Sequence, residues 1–236
     1  MDLSTEYLGL KLKNPLVPSA SPLSKNLDAA KKLEDAGASA LVMYSLFEEE
    51  VTEEDNLMDS FLYSQDIGHN EANGYLPVTD AYQTKTDEYL AQIFSLKNSL
   101  DIPIVASLNG VTTGGWVDHA IEIEQAGADA LELNAYYIAA DPGKSGRQVE
   151  SLYIELLTEL RKHLSIPLVM KLSPYFSSVS YMVSELQAHG VNGVSLFNRF
   201  YQPGLDLDTL NIIPELSLSS SQESLLAMRW VGLLYG

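Results

Sequence analysis

Three asparagines, three serines and one lysine stand where short aliphatic runs end. Asn109, Asn134 and Asn198 each close such a run, as do Ser19 and Ser45, with Ser21 two residues further on. Lys171 lies within a fourth pattern, Leu-Val-Met-Lys-Leu-Ser-Pro over 168–174. A carboxamide offers a donor pair and an acceptor. An amide-rich site with one cation therefore suits a planar heterocycle bearing alternating carbonyl and N–H groups, and a flavin has such an edge. When a flavin takes hydride, negative charge gathers around its N1–C2=O locus, where a fixed lysine stabilises the reduced form. One Asn at a strand end is as readily a turn former or a helix cap; three at matching positions carry more weight. A lysine among apolar strand residues is costly to bury without a partner, so Lys171 is the strongest functional candidate.

Other chemistries find less support. The chain has no cysteine, which removes disulfides, thiolate metal ligands and a thiol nucleophile. Its four histidines, at 69, 119, 163 and 189, show no ligand-pair spacing, and catalytic zinc is not expected. Gly110 to Trp116 is glycine-rich but lacks the Gly-Lys-Ser/Thr ending of a phosphate-binding loop, and Gly143-Lys144-Ser145-Gly146 has no glycine at the spacing such a loop requires. Glu132, inside a strand candidate, has two open placements: the sheet interior, or the layer between sheet and helices.

These residues are positioned by two alternating cassettes. One is a proline, an aliphatic run and a polar residue, at 14–19, 102–109 and 166–173. The other is a glycine followed by an aliphatic run with a polar end, at 36–45, 126–134 and 189–198. Continuous aliphatic runs suit parallel strands covered on both faces. Between them, Leu27 to Leu33, Val117 to Ile123, Leu152 to Leu160 and Val179 to Leu186 have helical spacing. Gly37, Gly127 and Gly190 fall where each helix must stop, in the left-handed conformation that glycine accepts.

Alternating βα units imply a parallel sheet, open or closed. Polar residues at the ends of many successive strands favour a TIM (β/α)8 barrel, whose strands all end at one mouth. No Gly-x-Gly-x-x-Gly turn follows the first strand, against a dinucleotide-binding open sheet. Six βα units are counted, ending in a helix near Gln222 to Leu234, where a closed barrel has eight. The expectation is one incomplete barrel domain over 1–236, able to hold the ring of a flavin but not its phosphate.

A length of 236 residues with 46% hydrophobic content suits one domain with a sizeable core. The net charge of −18 opposes nucleic-acid binding, which needs clustered Lys and Arg. No apolar run reaches membrane-spanning length and the start lacks a signal-peptide layout, so no membrane partner and a cytoplasmic location are expected. The acidic connection 46–80 reads as a solvated face, with a lid or a subunit contact as its functional alternative.

Asn14-Pro15 after a short hairpin, Ser107-Leu-Asn-Gly110, Glu132-Leu-Asn134, Lys171-Leu-Ser-Pro-Tyr175 and Phe197-Asn198 resemble, in order and spacing, the dihydroorotate dehydrogenases. Ser-Leu-Phe-Glu-Glu (45–49) and Phe-Asn-Arg-Phe-Tyr-Gln-Pro (197–203) are similar to stretches of the dihydroorotate dehydrogenase-like proteins. The resemblance implies an FMN-binding barrel that transfers hydride between a dihydropyrimidine-like small molecule and FMN, with a second, unspecified acceptor. It puts Ala20, Ser21 and Ser45 against the flavin and Lys171 at its N1 side. Asn109 and Asn134 would bond ring or substrate, and Asn198 the substrate. It also makes a homodimer an expectation.

Two positions depart from that pattern. The family carries a Cys or Ser base after the position of Asn134, whereas this chain has Ala-Tyr-Tyr-Ile-Ala, with Tyr137 at the base's place. A phenol, with an ordinary pKa of about 10, needs strong assistance to act as a base near neutral pH, and a packing role for Tyr137 is equally open. Tyr44 stands where the family often has Lys or Arg. The alternatives are a lyase or aldolase barrel with a Schiff base on Lys171, and a non-catalytic homologue.

Overall fold

The computed structural model describes residues 1–54, 84–110, 116–135, 137–199, 203–213 and 218–235. The chain begins with an antiparallel hairpin, β1 (Thr5–Tyr7) and β2 (Leu10–Leu12), in which Tyr7 pairs with Leu10 across the two-residue turn Leu8-Gly9. Both turn residues have positive φ, 58° at Leu8 and 77° at Gly9, as a tight hairpin turn of the favoured hand requires. Leucine is an unusual occupant of that conformation. Its side chain is 9% exposed and packs with Val42, Val105, Ala130 and Val169, so burial offsets the backbone cost.

A 3-10 turn (Pro22–Lys25) leads to α1 (Leu27–Asp35) and then to β3 (Leu41–Phe47), followed by helical residues 48–54 (α2). The alternation resumes with α3 (Lys85–Ser99), β4 (Ile104–Asn109), α4 (Trp116–Gln125), β5 (Ala130–Asn134), α5 (Gly146–His163), β6 (Leu168–Leu172), α6 (Val179–Ala188) and β7 (Gly193–Leu196). The two-residue strands β8 (Gly204–Leu205) and β9 (Ile212–Ile213) pair with each other, and α7 (Ser224–Leu234) follows.

β3 to β7 form one all-parallel sheet whose spatial order equals their chain order. A doubly wound sheet reverses its order at a switch point. No reversal occurs here; the order is that of an arc of a βα barrel. Gly37, Gly127 and Gly190 close α1, α4 and α6 at φ of 108°, 98° and 93°.

The expected first strand, 14–19, is corrected by the structure: it joins no ladder. It runs beside β3 through two backbone bonds, Ser39 N to Leu16 O and Val42 N to Pro18 O. Pro15 and Pro18 have no N–H to donate, which limits pairing to accepting carbonyls. The helix α3 is absent from the segments marked by spacing. Of the acidic connection, residues 55–83 lie outside the described residues.

The sheet separates two apolar layers. On one side the helices pack through Leu41, Met43, Ile93, Ile104, Leu131, Leu157, Leu160 and Leu168. On the other, Val42, Val105, Ala130 and Val169 form a small aliphatic floor with Leu8, against which Tyr7, Val17 and Ala20 pack. Gly193 lies close beneath that floor: a Cβ there would lie 2.8 Å from Leu8 Cδ2, so the end of the Leu8 side chain would have to shift.

Candidate active site

Above the aliphatic floor the same face of the sheet turns polar. Residues paired across parallel strands project to one side, and those two apart along a strand share that side. Ser45 pairs with Ser107, and Ser107 with Glu132. One step nearer the strand ends, Asn109 pairs with Asn134, Asn134 with Lys171, and Lys171 with Ser195. Glu132 is thereby placed in the sheet interior, which the sequence left open.

A bulge brings Ser45 into this row. Val42 pairs with Val105 but Ser45 with Ser107, so β3 carries one extra residue. Without it Tyr44, not Ser45, would face inward. The bulge is held by Ser24, fully buried, whose Oγ accepts from Tyr44 N at 2.7 Å. Opposite it, the Tyr89 hydroxyl accepts from Ser107 N at 2.7 Å and donates to Ser107 O at 3.1 Å. Burial raises the Tyr89 phenol far above its ordinary value, so it serves as a neutral brace. Ser45 Oγ and Ser107 Oγ share a hydrogen bond of 2.8 Å.

Asn198 joins from the segment after β7. Its backbone N donates to Leu172 O at 2.7 Å, and its Nδ2 donates to Asn134 Oδ1 at 2.6 Å. That bond fixes both carboxamides, with Asn134 Nδ2 and Asn198 Oδ1 left for other partners. Lys171 Nζ lies 3.7 Å from Glu132 Oε1, with side-chain exposures of 18% and 6%. Oε1 itself has no hydrogen-bond partner among the described residues. Burial pushes the Glu132 carboxyl up, and the nearby Lys171 charge draws it part of the way back. The distance makes this an ion pair longer than a hydrogen bond, and the lone oxygen follows from that length.

The structure brings together Asn134 with Asn198 and Ser45 with Ser107, and puts Asn109 and Lys171 in register with Asn134. Ala20 packs on the inner floor, and Ser21 caps the 3-10 turn beside it, its carbonyl accepting from Ser24 N and Oγ. Tyr137 stands apart. It lies on the loop after β5, where Lys144 Nζ donates to its hydroxyl at 3.2 Å, and it has no hydrogen bond with Lys171, Asn134 or Asn198. Tyr44 has its own cation: Lys25 Nζ sits 4.7 Å from its ring centroid, at a cavity of about 370 Å³ that Ser45, Lys85 and Glu88 also line. Residues 111–115, within the glycine-rich loop after β4, lie outside the described residues.

Sequence reasoning missed Ser107, Ser195 and Tyr89. The register of the strands could have found the two serines, since Ser107 lies two residues before Asn109 and Ser195 pairs with Lys171; nothing local marks Tyr89, whose partner lies 18 residues away.

No family model matches the chain. Curated relatives do match it over most of its length. Dihydroorotate dehydrogenase A (fumarate) of Limosilactobacillus reuteri is 26% identical over 88% of this chain and 66% of its own. The NAD-dependent dihydropyrimidine dehydrogenase subunit PreA of Escherichia coli is 23% identical over 84% and 48%. Dihydroorotate dehydrogenase B (NAD(+)), catalytic subunit, of Endomicrobium trichonymphae is 24% identical over 92% and 67%. This chain is similar to dehydrogenases of dihydroorotate and dihydropyrimidines. It spans about two thirds of the length of the first and about half that of PreA. Among solved structures, a dihydrodipicolinate synthetase from Pseudomonas aeruginosa aligns with a TM-score of 0.46 at 15% identity, over 76% of this chain and 54% of that one. The fold assignment rests on strand order, not on that likeness. No helix among the described residues is long and apolar enough to cross a membrane.

Proposed function

We propose that the chain forms the flavin face of an FMN-dependent oxidoreductase of the dihydroorotate dehydrogenase type, acting on a dihydropyrimidine-like small molecule. The observation that carries this reading is the single inner face that Asn109, Asn134, Asn198 and Lys171 share above an aliphatic floor. That donor set fits FMN: amides for a ring edge of carbonyls and N–H groups, and one half-buried cation for developing negative charge. When bound, FMN would supply a hydride acceptor, with a second acceptor taking the electrons onward.

The chain's own residues would divide the remaining work. Lys171 holds a positive charge at the mouth, steadied by Glu132. Asn134 and Asn198, locked to each other, orient a ligand through the donor and acceptor they leave unused. Tyr137 would accept the proton that leaves the substrate, with Lys144 beside its oxygen to stabilise negative charge there. Ser45 and Ala20 border the ring side of the site, and dimer formation remains part of the proposal by family likeness alone.

The test is turnover. The protein in its full natural length, loaded with FMN, is expected to oxidise a dihydropyrimidine in the presence of an artificial electron acceptor. Absence of turnover with all such substrates, together with borohydride trapping of a carbonyl compound on Lys171, would replace this reading with Schiff-base chemistry.

A further inference from the structure

The pairing of Glu132 with Lys171 asks for an explanation that packing does not give. A carboxylate 5% exposed, in the row just above the aliphatic floor, is a costly occupant of a strand that is otherwise apolar up to Asn134. Its only opposite charge within ion-pair reach among the described residues is Lys171, one strand across. The separation of 3.7 Å is too long for a good hydrogen bond and short enough for a Coulombic attraction that the burial of Glu132 strengthens. The charge of Glu132 also opposes the ionisation of two phenols, Tyr7 and Tyr89.

The register explains the direction of the tether. Glu132 pairs with Val169 and Asn134 with Lys171, so the carboxylate lies one layer below the lysine. It attracts Nζ toward the sheet axis and away from solvent, which keeps the ammonium at the level of Asn134. Without that attraction a four-carbon side chain has many rotamers that reach water.

We propose that Glu132 is the positioning residue for Lys171: it holds the ammonium at the amide layer of the site, and so fixes where charge is offered to a bound ligand. This rests on the reading of Lys171 as the cation of the flavin face. It adds a residue that acts through another and touches no ligand.

The test compares the wild type with Glu132→Gln and Glu132→Asp in the absence of cofactor. Each protein is treated with a limiting amount of an amine-acylating reagent, and acylation of Lys171 is quantified by peptide mass spectrometry against Lys97. Lys97 is the internal standard because its ion pair with Asp129, at 2.7 Å, is untouched by the substitutions. Circular dichroism reports whether each variant is folded. The expected result is a Lys171-to-Lys97 ratio about threefold or more higher in Glu132→Gln, and an intermediate rise in Glu132→Asp, which keeps the charge but withdraws it. Should Glu132→Gln fail to fold, the Glu132→Asp ratio decides. Equal ratios in folded variants overturn the proposal. A second readout, the midpoint potential of bound FMN, is expected to differ between wild type and Glu132→Asp although their net charge is the same; an identical potential also counts against it. If no protein binds FMN, the functional reading fails while the acylation ratio still tests the tether.

Discussion

Lys171 and Glu132 make opposite demands on the protein. The lysine is useful only while charged and near the mouth; the carboxylate is expensive to bury, and burial raises its pKa. A carboxyl raised in the folded state binds its proton more tightly there than in the unfolded chain. Its contribution to stability is therefore present at low pH and is lost as pH rises through the raised value. Glu132→Gln, which does not titrate, lacks that loss. Denaturant melts across mildly acidic to mildly alkaline pH should show wild-type stability falling relative to the Gln variant, and a rising difference would contradict the assignment. Tyr137 is separable from this pair. If it takes the substrate's proton, Tyr137→Phe should lower kcat by about 10²-fold with little change in stability, as stopped-flow reduction of the loaded enzyme would show. An unchanged rate would return Tyr137 to packing.

Among the elements, β3 departs most from regularity and the site depends on it. The bulge between Val42 and Ser45 turns Ser45 inward, and Ser24 and Tyr89 satisfy the backbone groups that the irregular ladder leaves over. Ser24→Ala removes the acceptor for Tyr44 N–H and is expected to cost about 1–3 kcal/mol by chemical denaturation; a change within error would mean the bulge is held otherwise. Five of the six strand candidates were legible because both faces of a parallel strand are buried, which writes a continuous aliphatic run. The sixth, 14–19, has the same run but two prolines, and donor loss outweighs hydropathy there. The bulge was not legible, since an inserted residue leaves periodicity in a seven-residue strand almost unchanged. Glu132 was visible but could not be placed until the register of β4, β5 and β6 fixed its face.

For the whole molecule, the sequential parallel order of β3 to β7 aims every strand's C-terminal end the same way, so residues scattered from Ser45 to Asn198 converge on one surface. That convergence was the part of the site most readable from sequence, because each cassette ends in a polar residue. What sequence could not give was the pairing within it: Asn134 with Asn198, and Glu132 with Lys171, depend on neighbours 64 and 39 residues apart. The central claim is that this surface is a flavin face with Lys171 as its cation. The most direct measurement is the visible absorption spectrum of the full-length protein after incubation with FMN and removal of free cofactor, beside its Lys171→Met variant. The account predicts a retained flavin spectrum that bleaches on reduction, with affinity for reduced FMN weakened about tenfold or more in the variant. A colourless wild-type protein, or a variant indistinguishable from it, would contradict the claim.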